Sequence, residues 1–155
     1  MDEFEPVKKR VYLRDVKPDD RELLFQWVND REVRANSFRQ EQVSYREHCC
    51  WMERVLSDPD ELFFLVMDDG NPVGQLRLTK CGGCAEISYS IAPDKRGIGY
   101  GTAVIELAKE VVRNDHPDIT RLIAKVKPNN VISSRCFEKN GFVGTFCQYE
   151  FAVRE

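Results

Sequence analysis

No apolar stretch in the 155-residue chain approaches the roughly 20 residues that a membrane-spanning helix needs, and the opening MDEFEPVKKR lacks the apolar segment of a secretory signal. A cytoplasmic protein with no membrane partner is therefore expected. A basic excess is missing too. The chain sets 23 Lys plus Arg against 26 Asp plus Glu, a formal net charge of -3, whereas nucleic-acid-binding domains carry a surplus of positive charge. No nucleic-acid partner is expected. Cysteine is sparse for a disulfide scaffold, because the six present (Cys49, Cys50, Cys81, Cys84, Cys136, Cys147) are scattered and fall well below about 8 to 10% of the chain. Reduced thiols are the expectation. The Cys81-x-x-Cys84 pair has no second C-x-x-C and no paired His to complete four metal ligands, so it reads as a hairpin turn and no metal is expected. Repeats and low-complexity linkers are absent, and the length suits one domain over residues 1–155, as monomer or homodimer.

The chain alternates helix-like and strand-like segments, which is a mixed α/β order. Residues 11–16 read as a strand, and Pro18, Asp19 and Asp20 open a helix that places Leu23, Leu24, Trp27 and Val28 on one face. Ser44 and Glu47 form a capping-box pattern ahead of a second helix carrying His48, Trp51, Met52, Val55 and Leu56, which Ser57-Asp58-Pro59 stops. Residues 62–67 and 73–78 flank the turn cluster Asp68-Asp69-Gly70-Asn71-Pro72 and read as a β-hairpin. Ala85, Ile87, Tyr89 and Ile91 alternate with Glu86, Ser88 and Ser90, the period of a strand with one apolar and one polar face. That polar face is a candidate cleft wall, whereas Tyr89 falls on the core side.

The segment Arg96-Gly97-Ile98-Gly99-Tyr100-Gly101-Thr102 then leads into a helix with Val104, Ala108, Val111 and Val112 on one side. A strand, a glycine loop and a helix N-terminus form a natural phosphate cradle, because first-turn N–H groups and the helix dipole attract anionic oxygens. A tight turn with nothing bound would use the same glycines. Two common fingerprints fail. Thr102 stands where the third Gly of G-x-G-x-x-G would be, and no Gly-Lys-Ser/Thr follows for a Walker loop.

These residues resemble the GNAT superfamily of acetyl-CoA-dependent N-acetyltransferases, whose pyrophosphate loop reads Arg/Gln-x-x-Gly-x-Gly/Ala, here Arg96, Gly99 and Gly101. Downstream, Asn130, Ser133, Phe137, Lys139, Gly141 and Phe142 fit the superfamily's second motif, with Cys136 at its usual Leu. The resemblance implies an α/β fold, a mixed and mostly antiparallel sheet of about six to seven strands flanked by about four helices. It also implies acetyl-CoA as co-substrate. The backbone of Arg96, Gly97, Ile98, Gly99, Tyr100, Gly101 and Thr102 would hold the pyrophosphate, Ile91 would meet the thioester, and Asn130, Ser133 and Phe137 would lie beside the cofactor. Tyr12-Leu13-Arg14 and Trp27 look similar to a branch whose members acetylate either a nucleotide-linked amino sugar in bacterial pseudaminic acid synthesis or protein N-termini, and Asn36-Ser37-Phe38 looks closer to the amino-sugar enzymes. The alternatives are acetylation of a protein N-terminus, or of a small amine or antibiotic; a third reading is a non-catalytic acyl-CoA-binding module.

Amide formation from a thioester needs a neutral amine, a polarised carbonyl and a tolerable leaving group. Glu86 is the candidate general base, as a matching Glu is in several relatives, and His48 is the runner-up. The Ile91 N–H is the candidate carbonyl donor. Many relatives protonate the departing thiolate with a Tyr where this chain has Phe137, so no general acid is assigned. From Arg31 to Arg46 the charges sum to +2, from Arg31, Arg34, Arg39 and Arg46 against Glu32 and Glu41, which suits an anionic acceptor. Candidate acceptor residues on the N-terminal helices are Trp27, Asn29, Arg31, Arg34, Asn36, Ser37 and His48. Gln75 and Arg77 are the candidates on the hairpin.

Overall fold

The computed structural model describes residues 6–145 and 148–154, so Cys147 lies outside the described residues. The alternating segments fold into seven strands. They are β1 (Val11–Asp15), β2 (Glu61–Asp68), β3 (Asn71–Cys81), β4 (Cys84–Ile91), β5 (Arg121–Lys125), β6 (Val143–Gly144) and β7 (Gln148–Ala152). The sheet order is β1-β2-β3-β4-β5-β7-β6, and every neighbouring pair is antiparallel except β4 with β5. This is the mixed, mostly antiparallel sheet expected.

The helices number six among the described residues rather than about four: α1 (Val7–Arg10), α2 (Arg21–Val28), α3 (Arg31–Asn36), α4 (Tyr45–Ser57), α5 (Tyr100–Asp115) and α6 (Val131–Lys139). The two extra ones, α1 and α3, bury no residue, so neither leaves the apolar periodicity that marks a helix in sequence. The capped start expected at Ser44 is present, since its hydroxyl accepts from the Glu47 N–H at 3.1 Å. No helix among the described residues is long and apolar enough to cross a membrane.

Strand alternation divides the core in two. Along β2, Phe63, Leu65 and Met67 face Leu24 and Trp27 of α2 and Met52 and Val55 of α4. Leu62, Phe64 and Val66 face the other way, toward Val104, Ile105, Ala108 and Val112 of α5. The sheet thus lies between α2 and α4 on one face and α5 and α6 on the other.

The turns follow from their residues. Asp69 and Gly70 both take positive φ, of 50° and 77°, between β2 and β3, as a two-residue hairpin turn that matches strand twist requires. Cys81 pairs with Cys84 across Gly82-Gly83, and both thiols are free.

One irregularity positions everything that follows. Strands β4 and β5 pair only at Cys84–Arg121, Ala85–Leu122 and Glu86–Ile123, although β4 runs on to Ile91 and β5 to Lys125. Beyond that point β4 stays with β3, through Gly74–Ile91, and β5 stays with β7, through Lys125–Gln148. The sheet therefore splits into a V directly after Glu86.

Candidate functional site

The split opens into a cleft of about 1210 Å³ that reaches both faces of the sheet, from α3 and α4 to the first turns of α5 and α6. Its floor is exposed β4 backbone. In an antiparallel ladder hydrogen-bonded and non-hydrogen-bonded pairs alternate, and Ala92 N–H donates to Val73 O at 2.8 Å. Ile91 and Tyr89 therefore belong to non-hydrogen-bonded pairs with β3, and their N–H groups point toward the gap that β5 has left. That is the orientation the Ile91 N–H needs to meet a carbonyl.

The glycine loop forms one end of the cleft. Gly97 and Gly99 take left-handed φ of 75° and 101°, and a Cβ built on either meets nothing within 4 Å. Gly99 is also the N-cap of α5, where no side chain caps the helix. The 16-residue helix thus presents open first-turn N–H groups to open space, which fits a diphosphate. Gly101 differs. A Cβ there would lie 3.2 Å from Cys136 Sγ and 3.5 Å from the Tyr89 hydroxyl, so it lets α5 and α6 pack closely. Asn130 caps α6, its Oδ1 accepting from the Ser133 N–H at 3.3 Å.

Two loop side chains turn away from the cradle. Tyr100 is buried and donates to Asp68 Oδ2 at 2.5 Å, while Arg10 binds the same carboxylate at 3.1 Å. The Tyr100 hydroxyl, burial notwithstanding, holds the Asp68 carboxyl below its usual range together with Arg10. Arg96 reaches across to α3 and pairs with Asp30 Oδ2 at 2.5 Å and Glu32 Oε2 at 2.8 Å. These two contacts fasten the loop to the sheet on one side and to the N-terminal helices on the other.

Glu86 lies on the β4 face opposite Ala85 and Ile87, toward α4, with its side chain 46% exposed in the cleft and 3.4 Å from Lys125 Nζ. The carboxylate is therefore open to the cleft, about 16 Å along β4 from Ile91. His48 cannot serve so simply. Its ring is 2% exposed, stacks on Trp51, and places Nε2 3.1 Å from Arg21 O, a carbonyl that only accepts, so Nε2 carries the hydrogen and donates. Burial pushes its pKa down from 6.5. The runner-up base is thus a packed imidazole.

The candidate acceptor residues separate into wall and support. Arg34, Asn36, Ser37, His48, Gln75 and Arg77 line the cleft, whereas Trp27, Asn29 and Arg31 do not. Trp27 is core. Asn29 pins the 37–44 segment by exchanging two 2.8 Å hydrogen bonds with the Val43 backbone, and Arg31 is exposed outside the lining. The expected anion-binding arginines are largely spent on the protein itself. Arg34 donates to Val28 O at 2.7 Å and Arg39 O at 3.0 Å, Arg39 pairs with Glu41 and Glu47 at 3.4 Å, and Arg77 pairs with Glu61 at 3.2 Å. Exposed Arg46 also lies outside the lining. The local surplus therefore does not present a phosphate clamp.

The residue that the alternation pattern assigned to the core is Tyr89. It is half-buried but lines the cleft, with its hydroxyl 2.9 Å from Ser133 Oγ. Its ring meets the ring of buried Phe137 edge to face, at 5.7 Å between centroids. Only the meeting of β4 with α6 reveals this, and no spacing within either segment encodes it.

The sequence pattern described as the acetyltransferase (GNAT) domain matches residues 10–143. An aminoglycoside N(6')-acetyltransferase type 1 of Klebsiella pneumoniae is 25% identical over 150 residues, spanning 85% of this chain and 73% of the relative. Among solved structures, a spermidine N-acetyltransferase from Vibrio cholerae in complex with CoA and spermine superposes with a TM-score of 0.83 at 20% identity, covering 94% of this chain and 96% of that one. An aminoglycoside acetyltransferase in complex with coenzyme A and kanamycin gives 0.80 at 19% identity, covering 92% of this chain and 94% of that one.

Proposed function

Because the chain belongs to the acetyltransferase (GNAT) domain family, we propose that it transfers an acetyl group from acetyl-CoA to a primary amine of a small molecule that carries amino groups, of the polyamine or aminoglycoside kind. The observation that carries this reading is the split sheet, in which the Ile91 N–H and the Glu86 carboxylate face one gap from the same strand. The open first turn of α5 with Gly97 and Gly99 would hold the pyrophosphate, and the bared edge of β4 would meet the pantetheine arm. Acetyl-CoA supplies the activated acyl thioester.

The chain's own groups do the rest. The Ile91 N–H is aimed where carbonyl charge develops, and a fixed donor at such a place is worth more than in water because it needs no reorganisation. Glu86, on the α4 face and five residues or about 16 Å along the strand from Ile91, takes through intervening water the proton that the attacking nitrogen loses. The acceptor lies against α3 and α4, where Trp51 contributes an aromatic face and Glu86 of β4 a half-exposed carboxylate, while Glu32 and Glu47 of the same wall are paired with Arg96 and Arg39. Two findings favour a small amine over a nucleotide-linked amino sugar. The nearby arginines are engaged with carbonyls and carboxylates, and the relatives named above act on aminoglycosides and spermidine by their names.

The test is thiol release from acetyl-CoA against polyamines, aminoglycosides, nucleotide-linked amino sugars and peptides. Small amines should give the highest kcat/KM, and a nucleotide sugar turned over far faster would overturn the acceptor reading. Glu86→Gln should lower kcat by about 10²- to 10⁴-fold with acetyl-CoA affinity intact, the usual range for a positioned base. A loss below about tenfold would remove Glu86 from that role.

A further inference from the structure

The chain has five tyrosines, and four have hydroxyls placed away from the split. Tyr12 is exposed on β1, three strands from β4. Tyr45 donates to Glu22 at 2.5 Å, Tyr100 donates to Asp68 beneath the loop, and Tyr149 lies 3.5 Å from Glu138 outside the cleft lining. Tyr89 is the exception. It projects from the bared part of β4 on the α5 and α6 side, opposite in direction to Glu86, and ends between Gly101 and Ser133. Phe137, which holds no hydroxyl, sits directly against its ring.

We propose that Tyr89, held by Ser133, donates the hydrogen bond that receives the negative charge on the departing sulfur, a task position 137 cannot perform here. The inference rests on the function proposed above. The two faces of β4 then divide the reaction: Glu86 meets the amine on the α4 side, and Tyr89 meets the thiol on the α6 side. Either hydroxyl can donate across the 2.9 Å contact; the role requires Ser133 Oγ–H to donate to Tyr89 Oη, so that the phenol's own hydrogen turns from Cys136, its other side-chain partner, to the sulfur.

In the step itself the N–C bond forms and the C–S bond breaks. The amine proton passes through water to Glu86, and the C–S electron pair stays on sulfur. The proton does not move from Tyr89 to sulfur, because a thiolate conjugate to a thiol of pKa about 8.5 is a weaker base than a phenolate. Burial, which raises the Tyr89 pKa above its ordinary 10, reinforces that order. Tyr89 therefore stabilises the thiolate as a fixed donor, and the sulfur gains its proton afterwards from solvent.

The experiment titrates the thiol of CoA bound to the protein, following thiolate absorbance in the ultraviolet, with calorimetry to establish saturation. In the parent the bound thiol should ionise about one unit or more below the value measured for free CoA in the same buffer, a shift of the size a fixed donor to the thiolate gives. Tyr89→Phe should return it toward the free value and lower kcat at least about tenfold. Ser133→Ala breaks the same contact but keeps the donor, so it should shift the bound thiol less than Tyr89→Phe does. A parent whose bound thiol ionises at or above the free value overturns the inference without any variant. So does a Tyr89→Phe protein that binds CoA and leaves the ionisation unchanged, or a Ser133→Ala protein that matches Tyr89→Phe throughout. A parent that fails to bind CoA is a different failure, because it overturns the proposed function itself.

Discussion

His48 shows how one ring can look catalytic in sequence and be structural in the fold. A histidine in a helix beside a presumed acceptor site is a natural base candidate, but its pattern in the sequence is equally that of a core position. Burial decides the matter, because it disfavours the imidazolium and lowers the folded-state pKa, with the Arg21 carbonyl opposing only in part. The unfolded chain takes up its proton near pH 6.5, so folding stability from neutral His48 is complete above that pH. It is lost as pH falls from about 6.5 toward the lowered folded value. Asp20, Asp30 and Asp68 have pKa values lowered from 3.8, and their contributions disappear only as pH falls below that, outside the range from pH 7 to pH 5. The thermal midpoint of the parent should therefore drop between pH 7 and pH 5, and His48→Gln, which keeps a donor for Arg21 O but cannot titrate, should flatten that slope. Equal slopes in the two proteins would mean that the ring is not held neutral.

At the scale of elements, the apolar strands and the helices with periodic faces were legible as elements, β2, β3, β4, α2, α4 and α5, but not to the residue: Asp68, Asn71 and Pro72, read as turn, belong to β2 and β3, and the turn is Asp69-Gly70 alone. The sheet's split was not legible, because it depends on which register β5 adopts beside β4, and no residue in either strand encodes its partner. Helix α3 was illegible for another reason. Six residues with no buried side chain are too few to form a stable helix alone, so its existence rests on contacts from elsewhere. Asp30 caps it by accepting from the Glu32 and Val33 N–H groups, Arg96 of the glycine loop holds Asp30 and Glu32, and Lys127 donates to Ala35 O at its far end at 3.1 Å. The loop that would hold the pyrophosphate and the helix that walls the acceptor side are thus one connected unit. Asp30→Ala removes the cap and the partner of Arg96 together. Loss of an N-cap costs about 0.5 to 2 kcal/mol, equivalent to roughly two- to thirtyfold in an equilibrium. The KM values for acetyl-CoA and acceptor should both rise within that range, while the unfolding midpoint moves little because α3 buries nothing. An acceptor KM that rises alone would show that loop and helix are not coupled through Arg96.

For the whole molecule, the sandwich of α2 and α4 against one sheet face and α5 and α6 against the other would, on the proposed function, give each substrate its own side, with the split as the meeting point. The cleft reaches both faces without interruption, so both substrates can be present at once and the acetyl group need not rest on the protein. A covalent relay would require a nucleophile at the split, and the free thiols in the lining are exposed Cys50 on α4 and, beside the glycine loop, Cys136. The Cys136 sulfur, however, packs against the α5 backbone, 3.2 Å from where a Cβ on Gly101 would lie, next to Tyr89. Packing there explains Cys136 without chemistry. Initial rates measured at varied acetyl-CoA and amine should accordingly give intersecting double-reciprocal lines, the pattern of a ternary complex. Cys136→Ala should keep kcat within about threefold, a small fraction of the 10²- to 10⁴-fold loss expected at Glu86. Parallel lines, together with a Cys136→Ala protein that loses turnover and a parent that retains acetyl label after acetyl-CoA is removed, would instead establish an acetyl-cysteine intermediate and overturn direct transfer.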